Sequence, residues 1–250
     1  MKILVISDIH GNAEALRAVL AAESDADCSL FLGDALLSGP QANETMALLD
    51  ELAPDIAIMG NHDDEVLDPS IFAAWPVEWV ALNEWIIEHL EASSIRGIEA
   101  FTTAGQYQLG GLDFYLHHGE LGSRELKALP DAPDEVLGLM GSESDAPIVL
   151  FGHTHVQFSR QINGKTFINP GSVGQPRCGE LQACYGVFVN GVYEARRVVY
   201  DPAPWVAALE RIDVLDAFPD FRQWLKTGLL EGYGIGRQEP WTRYAAQGYR

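Results

Sequence analysis

Six of the chain's seven histidines fall where an apolar run stops: His10, His62, His117, His118, His153 and His155, with only His89 elsewhere. The clearest stretch is Gly152-His153-Thr154-His155, directly after the apolar residues 148–151. Two imidazoles at i and i+2 past a buried strand can point to one side of its carboxyl end, where open α/β sheets place their ligands. Taken alone the pair reads equally well as two surface histidines in a turn, because neutral imidazole binds many metals and short motifs match by chance. The other clusters decide. Asp8, Asp34 and Asn61 stand at the ends of three more expected strands, and if those strands lie in packed sheets their ends converge. The resulting set mixes carboxylate, amide oxygen and imidazole without thiolate, which suits Mn, Fe or Zn and exceeds what one open site needs. Two cations ~3.5–4 Å apart clamp a phosphoryl oxygen, lower the pKa of a shared water and stabilise both oxygens of an in-line displacement. The chemistry implied is phosphoester hydrolysis.

Positioning such a set requires strands that end together, and the first half of the chain supplies them. Residues 3–6 read as a short buried strand, and Asn12 can cap a helix over 13–22 whose Leu16, Val19 and Leu20 share a face. The rhythm repeats as a strand at 29–32, a helix at about 44–52 and a strand at 56–59 after Pro54. Residues 65–100 break it with a Trp-rich, acidic, helical insertion holding Trp75, Trp79 and Trp85, expected to pack beside the sheet or shape a cleft. Strands at 112–116 and 148–151 follow, with helical text at 123–129 and 134–140 between them. Asn163-Gly164 and Asn190-Gly191 then mark two hairpins, pairing 156–162 with 165–168 and 185–189 with 192–200. Between them Asn169-Pro170-Gly171-Ser172-Val173-Gly174-Gln175-Pro176-Arg177 is a structured loop. Residues 205–218 and 221–230 look helical and a polar, glycine-containing tail closes the chain. Without repeats, low-complexity tracts or linkers, the expectation is one domain over 1–250, with a C-terminal helical segment at about 205–250.

At 250 residues and 47% hydrophobic composition the chain can bury a full core. It has neither a run of ~20 apolar residues nor a targeting segment at its start, so no membrane partner is expected. Cys28, Cys178 and Cys184 have no CxxC spacing and read as reduced thiols of a cytoplasmic protein. A structural zinc protein is disfavoured, since closed sites favour Cys and this set has none. A formal net charge of -20, from 16 Lys+Arg against 36 Asp+Glu, repels nucleic acid and anionic membranes, so a phosphate substrate needs local positive charge.

Asp8-x-His10-Gly11-Asn12, Gly33-Asp34, Gly60-Asn61-His62-Asp63, His118-Gly119 and Gly152-His153-x-His155 closely resemble, in order, the five blocks of the calcineurin-like metallophosphoesterases. The resemblance implies an α/β fold, a four-layer αββα sandwich of two mixed β-sheets flanked by helices. It implies that Asp8, His10 and His155 hold one divalent metal, that Asn61, His118 and His153 hold a second, and that Asp34 bridges them. Manganese is the first expectation, iron or zinc the alternatives. A hydroxide shared by the ions would attack phosphorus, while His62 would protonate the leaving oxygen or stabilise its charge, oriented by Asp63 or Asp64. The family places its ligand directly before the glycine, which selects His118 and leaves His117 a supporting residue.

Gly33-Asp34 continues as Ala35-Leu36-Leu37-Ser38-Gly39-Pro40, without the aspartate and arginine of the protein Ser/Thr phosphatase branch. That ending and the 169–177 loop look like a prokaryotic branch of small phosphoesterases, similar to asymmetrical diadenosine tetraphosphate hydrolases. The implied partner is a small phosphorylated, nucleotide-type substrate: a phosphodiester, a phosphomonoester or a phosphoanhydride. Arg177 is the candidate phosphate clamp against a surface ion pair, and Asn12 a helix cap that could also touch phosphate. A non-catalytic metal-binding scaffold of the same fold is the competing class, disfavoured because His62 and all seven expected ligands are present.

Overall fold

Strand β1 (Lys2–Ile6) shows how the chain divides its apolar residues: Ile3 and Val5 enter one buried cluster, Leu4 and Ile6 another on the opposite face. This period of two is what a strand buried on both faces produces. The computed structural model describes residues 1–122 and 126–250. Its further strands are β2 (Cys28–Phe31), β3 (Ile56–Ala57), β4 (Gly105–Leu109), β5 (Leu112–Leu116), β6 (Ile148–Leu150), β7 (Phe158–Ile162), β8 (Lys165–Asn169), β9 (Ala183–Val189) and β10 (Val192–Val198). They form two five-stranded sheets, ordered β10-β9-β1-β2-β3 and β4-β5-β6-β8-β7. Each has three parallel strands, β1-β2-β3 running to one edge of the first sheet and β5-β6-β8 at the centre of the second, with antiparallel pairing elsewhere, so both are mixed.

Ile3, Val5, Leu30 and Leu32 of the first sheet meet Phe114, Leu116, Leu150 and Ile168 of the second, and this inter-sheet core excludes water. Each such side chain contributes roughly 1.5–3 kcal/mol on burial. On the outer face of the first sheet lie α1 (Ala13–Ala22), α2 (Ala42–Leu52), the insertion helices α3 (Asn61–Leu67), α4 (Val77–Glu88) and α5 (Ala92–Glu99), and, from the C-terminal part, α7 (Ala203–Leu209) and α8 (Pro219–Leu230). The other sheet is covered by α6 (Asp134–Met140) through Leu137 and Met140. Helix, sheet, sheet, helix is the four-layer sandwich that the sequence implies.

Four stretches differ from expectation. Residues 105–109 form β4, an edge strand whose Gln106 and Gln108 face outward and whose turn, Gly110-Gly111, takes positive φ at both positions; its half-polar text hid it. The expected helix over 205–218 is two pieces, α7 and a 3₁₀ turn at Asp213–Ala217. The tail carries a further helix, α9 (Trp241–Ala246). Of the helical text at 123–129, residues 123–125 lie outside the described residues, and Lys127 pairs with Glu120 in a backbone bridge instead of a helix. Among the described residues no helix is long and apolar enough to cross a membrane.

Candidate metal centre

At the carboxyl ends of β1, β2, β3, β5 and β6 the chain leaves the sheets abruptly. Five side chains of the expected ligand set sit on left-handed backbone: Asp8 (φ 54), His10 (φ 49), Asp34 (φ 62), His153 (φ 66) and His155 (φ 61). Since β6 ends at Leu150, the His153–His155 pair lies beyond it, and left-handed turns, not strand alternation, bring both rings to one side. Thr154, between them, turns away and donates from Oγ1 to the Ala128 carbonyl at 3.1 Å. Glycines permit the close approach of neighbouring loops: a Cβ on Gly60 would collide with the Asp34 carboxylate, and one on Gly152 with Ser7 and Asp8.

The donors gather in two sets. Asp8, His10 and His155 form one, with His155 Nε2 3.2 Å from Asp8 Oδ1 and from His10 Nε2. Asp34, His118 and His153 form the other, with His118 Nε2 3.1 Å from Asp34 Oδ2 and the Asn61 Oδ1 2.9 Å from His153 Nδ1. Asp34 Oδ2 is also 3.8 Å from His10 Nε2, so this carboxylate stands between the sets. Donors about 2.0–2.2 Å from a common ion lie roughly 3.0–3.5 Å from each other, the spacing of the His155–Asp8, His155–His10 and His118–Asp34 pairs, while His10 Nε2 stands 3.9 Å from Asp8 Oδ1.

Ring orientation is fixed from behind. Nδ1 of His10, His118 and His155 each faces a backbone carbonyl, of Leu37, of Leu32 at 2.7 Å and of Gln175 at 2.8 Å. A ring whose Nδ1–H is used there turns its Nε2 lone pair to the centre, the arrangement metal-bound histidines adopt. Nε2 of His118 is buried and makes no well-directed hydrogen bond. The electrostatics agree. Burial opposes the charge of Asp8 and Asp34, yet His118 outweighs it and keeps Asp34 ionised; Asp8 is held low beside His155, although burial lowers the pKa of His155 itself. Burial also disfavours a charged His118, but Asp34 and Asp8 push its pKa up to about 10. Burial and neighbouring imidazoles hold His10 and His153 down at about 3, neutral and ready to ligate. Buried carboxylates that hold a proton on a partner imidazole are a place where a cation substitutes for that proton. The donor set fits divalent metals.

His62 stands beside both sets. Its ring packs 5.3 Å from that of His10 and edge-on to Trp75 at 5.8 Å, which places the insertion against the site. Its Nδ1 lies 2.6 Å from Glu65 Oε2, so the expectation that Asp63 or Asp64 orients it is corrected. One helical turn separates positions 62 and 65, which brings them together on α3, whereas Asp63 is buried and accepts the backbone N–H groups of Asp34, Ala35 and Gly60 at 2.8, 2.8 and 2.9 Å. Asn12 is corrected as well. Its Oδ1 caps α1 at Ala15 N and its Nδ2 donates to Gly174 O and Tyr200 Oη, leaving no group free for phosphate. His118, not His117, faces the centre; His117 Nδ1 accepts from Gly119 N at 2.8 Å.

The 169–177 loop braces the centre from outside: Asn169 Nδ2 donates to Gly152 O at 2.8 Å and Ser172 Oγ to Asp8 O at 2.7 Å. Arg177 at its end faces a cavity of about 350 Å³ shared with Asp34, His62, His153 and His155. Sequence reasoning missed Glu65, whose signal was its i+3 spacing from His62, and Lys127 and Trp241, which line the same cavity without any local motif.

Residues 1–189 match the calcineurin-like phosphoesterase superfamily domain. The chain belongs to that superfamily. Membership makes it one of the metal-dependent phosphoric ester hydrolases, in the small prokaryotic branch. It is 29% identical over 204 residues to the phosphodiesterase YfcE of Escherichia coli, covering 77% of this chain and 89% of that one. An uncharacterized protein of Methanocaldococcus jannaschii is 28% identical over 220 residues, 80% of this chain and 88% of the relative. Among solved structures, a metallophosphoesterase from Sphaerobacter thermophilus superposes with a TM-score of 0.70 at 27% identity, covering 85% of this chain and 94% of that one.

Proposed function

We propose that the chain is a dinuclear phosphoesterase acting on a small, nucleotide-type phosphodiester, phosphomonoester or phosphoanhydride. The observation that carries the reading is the place of Asp34, whose Oδ2 lies 3.1 Å from His118 Nε2 and 3.8 Å from His10 Nε2 and so reaches toward both donor sets. Asp8, His10 and His155 would hold one cation, Asn61, His118 and His153 the other, with Asp34 common to both and manganese the first expectation. Bound there, the cations supply an activated water and neutralise charge on the phosphoryl oxygens.

The chain's own residues do the rest. As the water oxygen bonds to phosphorus and the bond to the leaving oxygen breaks, the leaving oxygen needs a proton. His62 supplies it from Nε2, because Nδ1 is committed to Glu65. Burial disfavours an imidazolium at His62, but Asp34 and Glu65 outweigh it and raise its pKa, in the direction that favours the protonated acid. Although His62 also lies within reach of His10 and Asp34, its side chain is 22% exposed and lines the cavity, whereas those of His10, His118 and His155 are almost closed off, which supports an acid reaching the substrate rather than a ligand. Arg177 supplies the positive charge that the acidic surface lacks. One domain over 1–250 is supported by α7 and α8 sharing a buried cluster with α1 and α2, and a cytoplasmic location by three free cysteines.

The test is reconstitution. Metal-free protein given Mn is expected to turn over bis-para-nitrophenyl phosphate or para-nitrophenyl phosphate; no Mn-dependent turnover of either, nor of a nucleotide panel, would sink the reading. His62→Asn is expected to keep its metal and lose about 10²–10⁴-fold in turnover. Loss of metal from that variant would make His62 a ligand.

A further inference from the structure

The cavity beside the metal centre has two unlike walls. One is the centre itself; the other is the C-terminal segment from Ile235 to Trp241, which lies beyond the residues matched by the family domain. That segment is tied to the loop carrying Arg177. Gly234 N donates to Pro176 O at 2.9 Å, Gly179 N donates to Gly232 O at 3.0 Å, and Arg177 and Tyr233 form an antiparallel backbone bridge. The Arg243–Asp131 ion pair, at 2.6 Å, docks α9, and Trp241 is buried at 3% exposure.

Two cations gather on this wall. The Arg177 guanidinium carbon lies 4.4 Å from the centre of the Trp241 ring and the Lys127 ammonium 5.8 Å from it. Such contacts hold a cation in place without neutralising it. Arg177 Nε is buried and has no hydrogen-bond partner, and among the described residues Arg177 forms no ion pair. Glu239 also lines the cavity, but its carboxylate is engaged by Thr242 Oγ1 and lies 3.9 Å from Arg243 Nε. In a chain with only 16 basic residues against 36 acidic ones, two cations in one cavity with the metal centre form a localised anion site. An isolated phosphoryl group would already be neutralised by cations bound at the centre. A second phosphate, joined to the first, adds charge that the acidic surface repels and that a guanidinium binds bidentately.

We propose that Arg177 and Lys127, held against Trp241, form a subsite for a second phosphate, so that the favoured substrate is a phosphoanhydride rather than an isolated monoester or diester. This rests on the phosphoesterase reading of the centre and narrows it. The subsite depends on this chain's C-terminal segment: removing the Trp241 ring frees the guanidinium from its fixed position.

The experiment uses the full chain loaded with Mn, ADP, AMP and para-nitrophenyl phosphate as substrates, and inorganic pyrophosphate and phosphate as probes of binding. ADP is expected to exceed AMP in kcat/KM by about tenfold or more, the worth of one charge-assisted contact. Lys127 is exposed, so Lys127→Gln folds, and it is expected to lower kcat/KM for ADP about tenfold more than for para-nitrophenyl phosphate, chiefly through KM. Pyrophosphate is expected to perturb tryptophan fluorescence at lower concentration than phosphate, a signal that Trp241→Phe diminishes and Lys127→Gln shifts to higher concentration. Equal kcat/KM for ADP and AMP, or equal losses on ADP and para-nitrophenyl phosphate in Lys127→Gln, would overturn the subsite while leaving the phosphoesterase reading intact. Absence of turnover on every substrate would remove that reading instead, and the comparison of pyrophosphate with phosphate would still decide whether the subsite exists.

Discussion

Replacing Glu65 with glutamine separates the charge of the His62–Glu65 pair from its geometry. Glu65 is buried at 6% exposure, and its Oε2 lies 2.6 Å from His62 Nδ1. Glutamine has nearly the same volume, and its amide oxygen still accepts the Nδ1 proton, so the ring stays where it is. The negative charge that stabilises the imidazolium is removed. A hydrogen bond to a charged partner contributes roughly 1.5–3 kcal/mol and a neutral one roughly 0.5–1.5, a difference of about 1–2 kcal/mol. At 1.36 kcal/mol per factor of ten, turnover is expected to fall roughly 5- to 30-fold. The loss must depend on the leaving group. Para-nitrophenolate departs with little need of a proton, whereas phenolate, a stronger base, needs one. Glu65→Gln is therefore expected to lower kcat for phenyl phosphate severalfold more than for para-nitrophenyl phosphate, with metal content by elemental analysis unchanged. Equal losses on the two esters would refute His62 as the proton donor, and loss of metal would show that Glu65 supports a ligand.

Metal uptake is expected to expel a proton. In the metal-free chain burial disfavours the His118 imidazolium, but Asp34 and Asp8 raise its pKa to about 10, so at pH 8 it is protonated and must give up that proton to ligate, while His10 and His153, at about 3, have none to give. Calorimetry of Mn binding in two buffers of different ionisation heat should report about one proton released, and affinity rising about tenfold per pH unit below that pKa; no release would place the proton elsewhere. Asn12→Ala removes the cap on Ala15 and both Nδ2 contacts, to Gly174 O and Tyr200 Oη. A thermal or denaturant melt should show a loss of about 2–4 kcal/mol, with KM for para-nitrophenyl phosphate unmoved in the folded protein; a raised KM at unchanged stability would restore Asn12 as a substrate contact.

The convergence of candidate donors was legible because its chemistry is written locally, while which of them would ligate came from the family resemblance. His, Asp and Asn at the ends of apolar runs need only the rule that strand ends converge, and Asp8, Asp34, Asn61, His118, His153 and His155 do meet. What stayed hidden depends on contacts between distant segments. Asn12 could be read as a cap, but not that Gly174 and Tyr200 would occupy its remaining donor. Glu65 sits in text that also reads as an acidic surface, and its role appears only once α3 aligns it with His62. Nothing in the Gly232 to Trp241 text predicts that it returns to the metal centre. That path is set by backbone pairing with Pro176, Arg177 and Gly179, far away in sequence.

The left-handed backbone at the centre explains why convergence is tight enough to serve metals. A non-glycine residue in that region costs roughly 1–2 kcal/mol, and Asp8, His10, Asp34, His153 and His155 all occupy it. Such strain persists only where surrounding structure over-determines the backbone. Here Asp8 N donates to Gly33 O at 3.0 Å, Ile9 N to Asp34 O at 2.9 Å, Gly152 N to His118 O at 2.7 Å and Gly174 N to Asp8 O at 3.1 Å, so each strand end is stitched to another. No one loop could hold its ligand in that conformation alone. The two sheets therefore do more than bring the ends of the strands near each other. They lock strained turns into one rigid frame, in which the His118 and Asp34 donors stand 3.1 Å apart. A frame stitched in this way would hold its donors in place for a divalent cation, with the buried Asp8 and Asp34 carboxylates supplying the attraction.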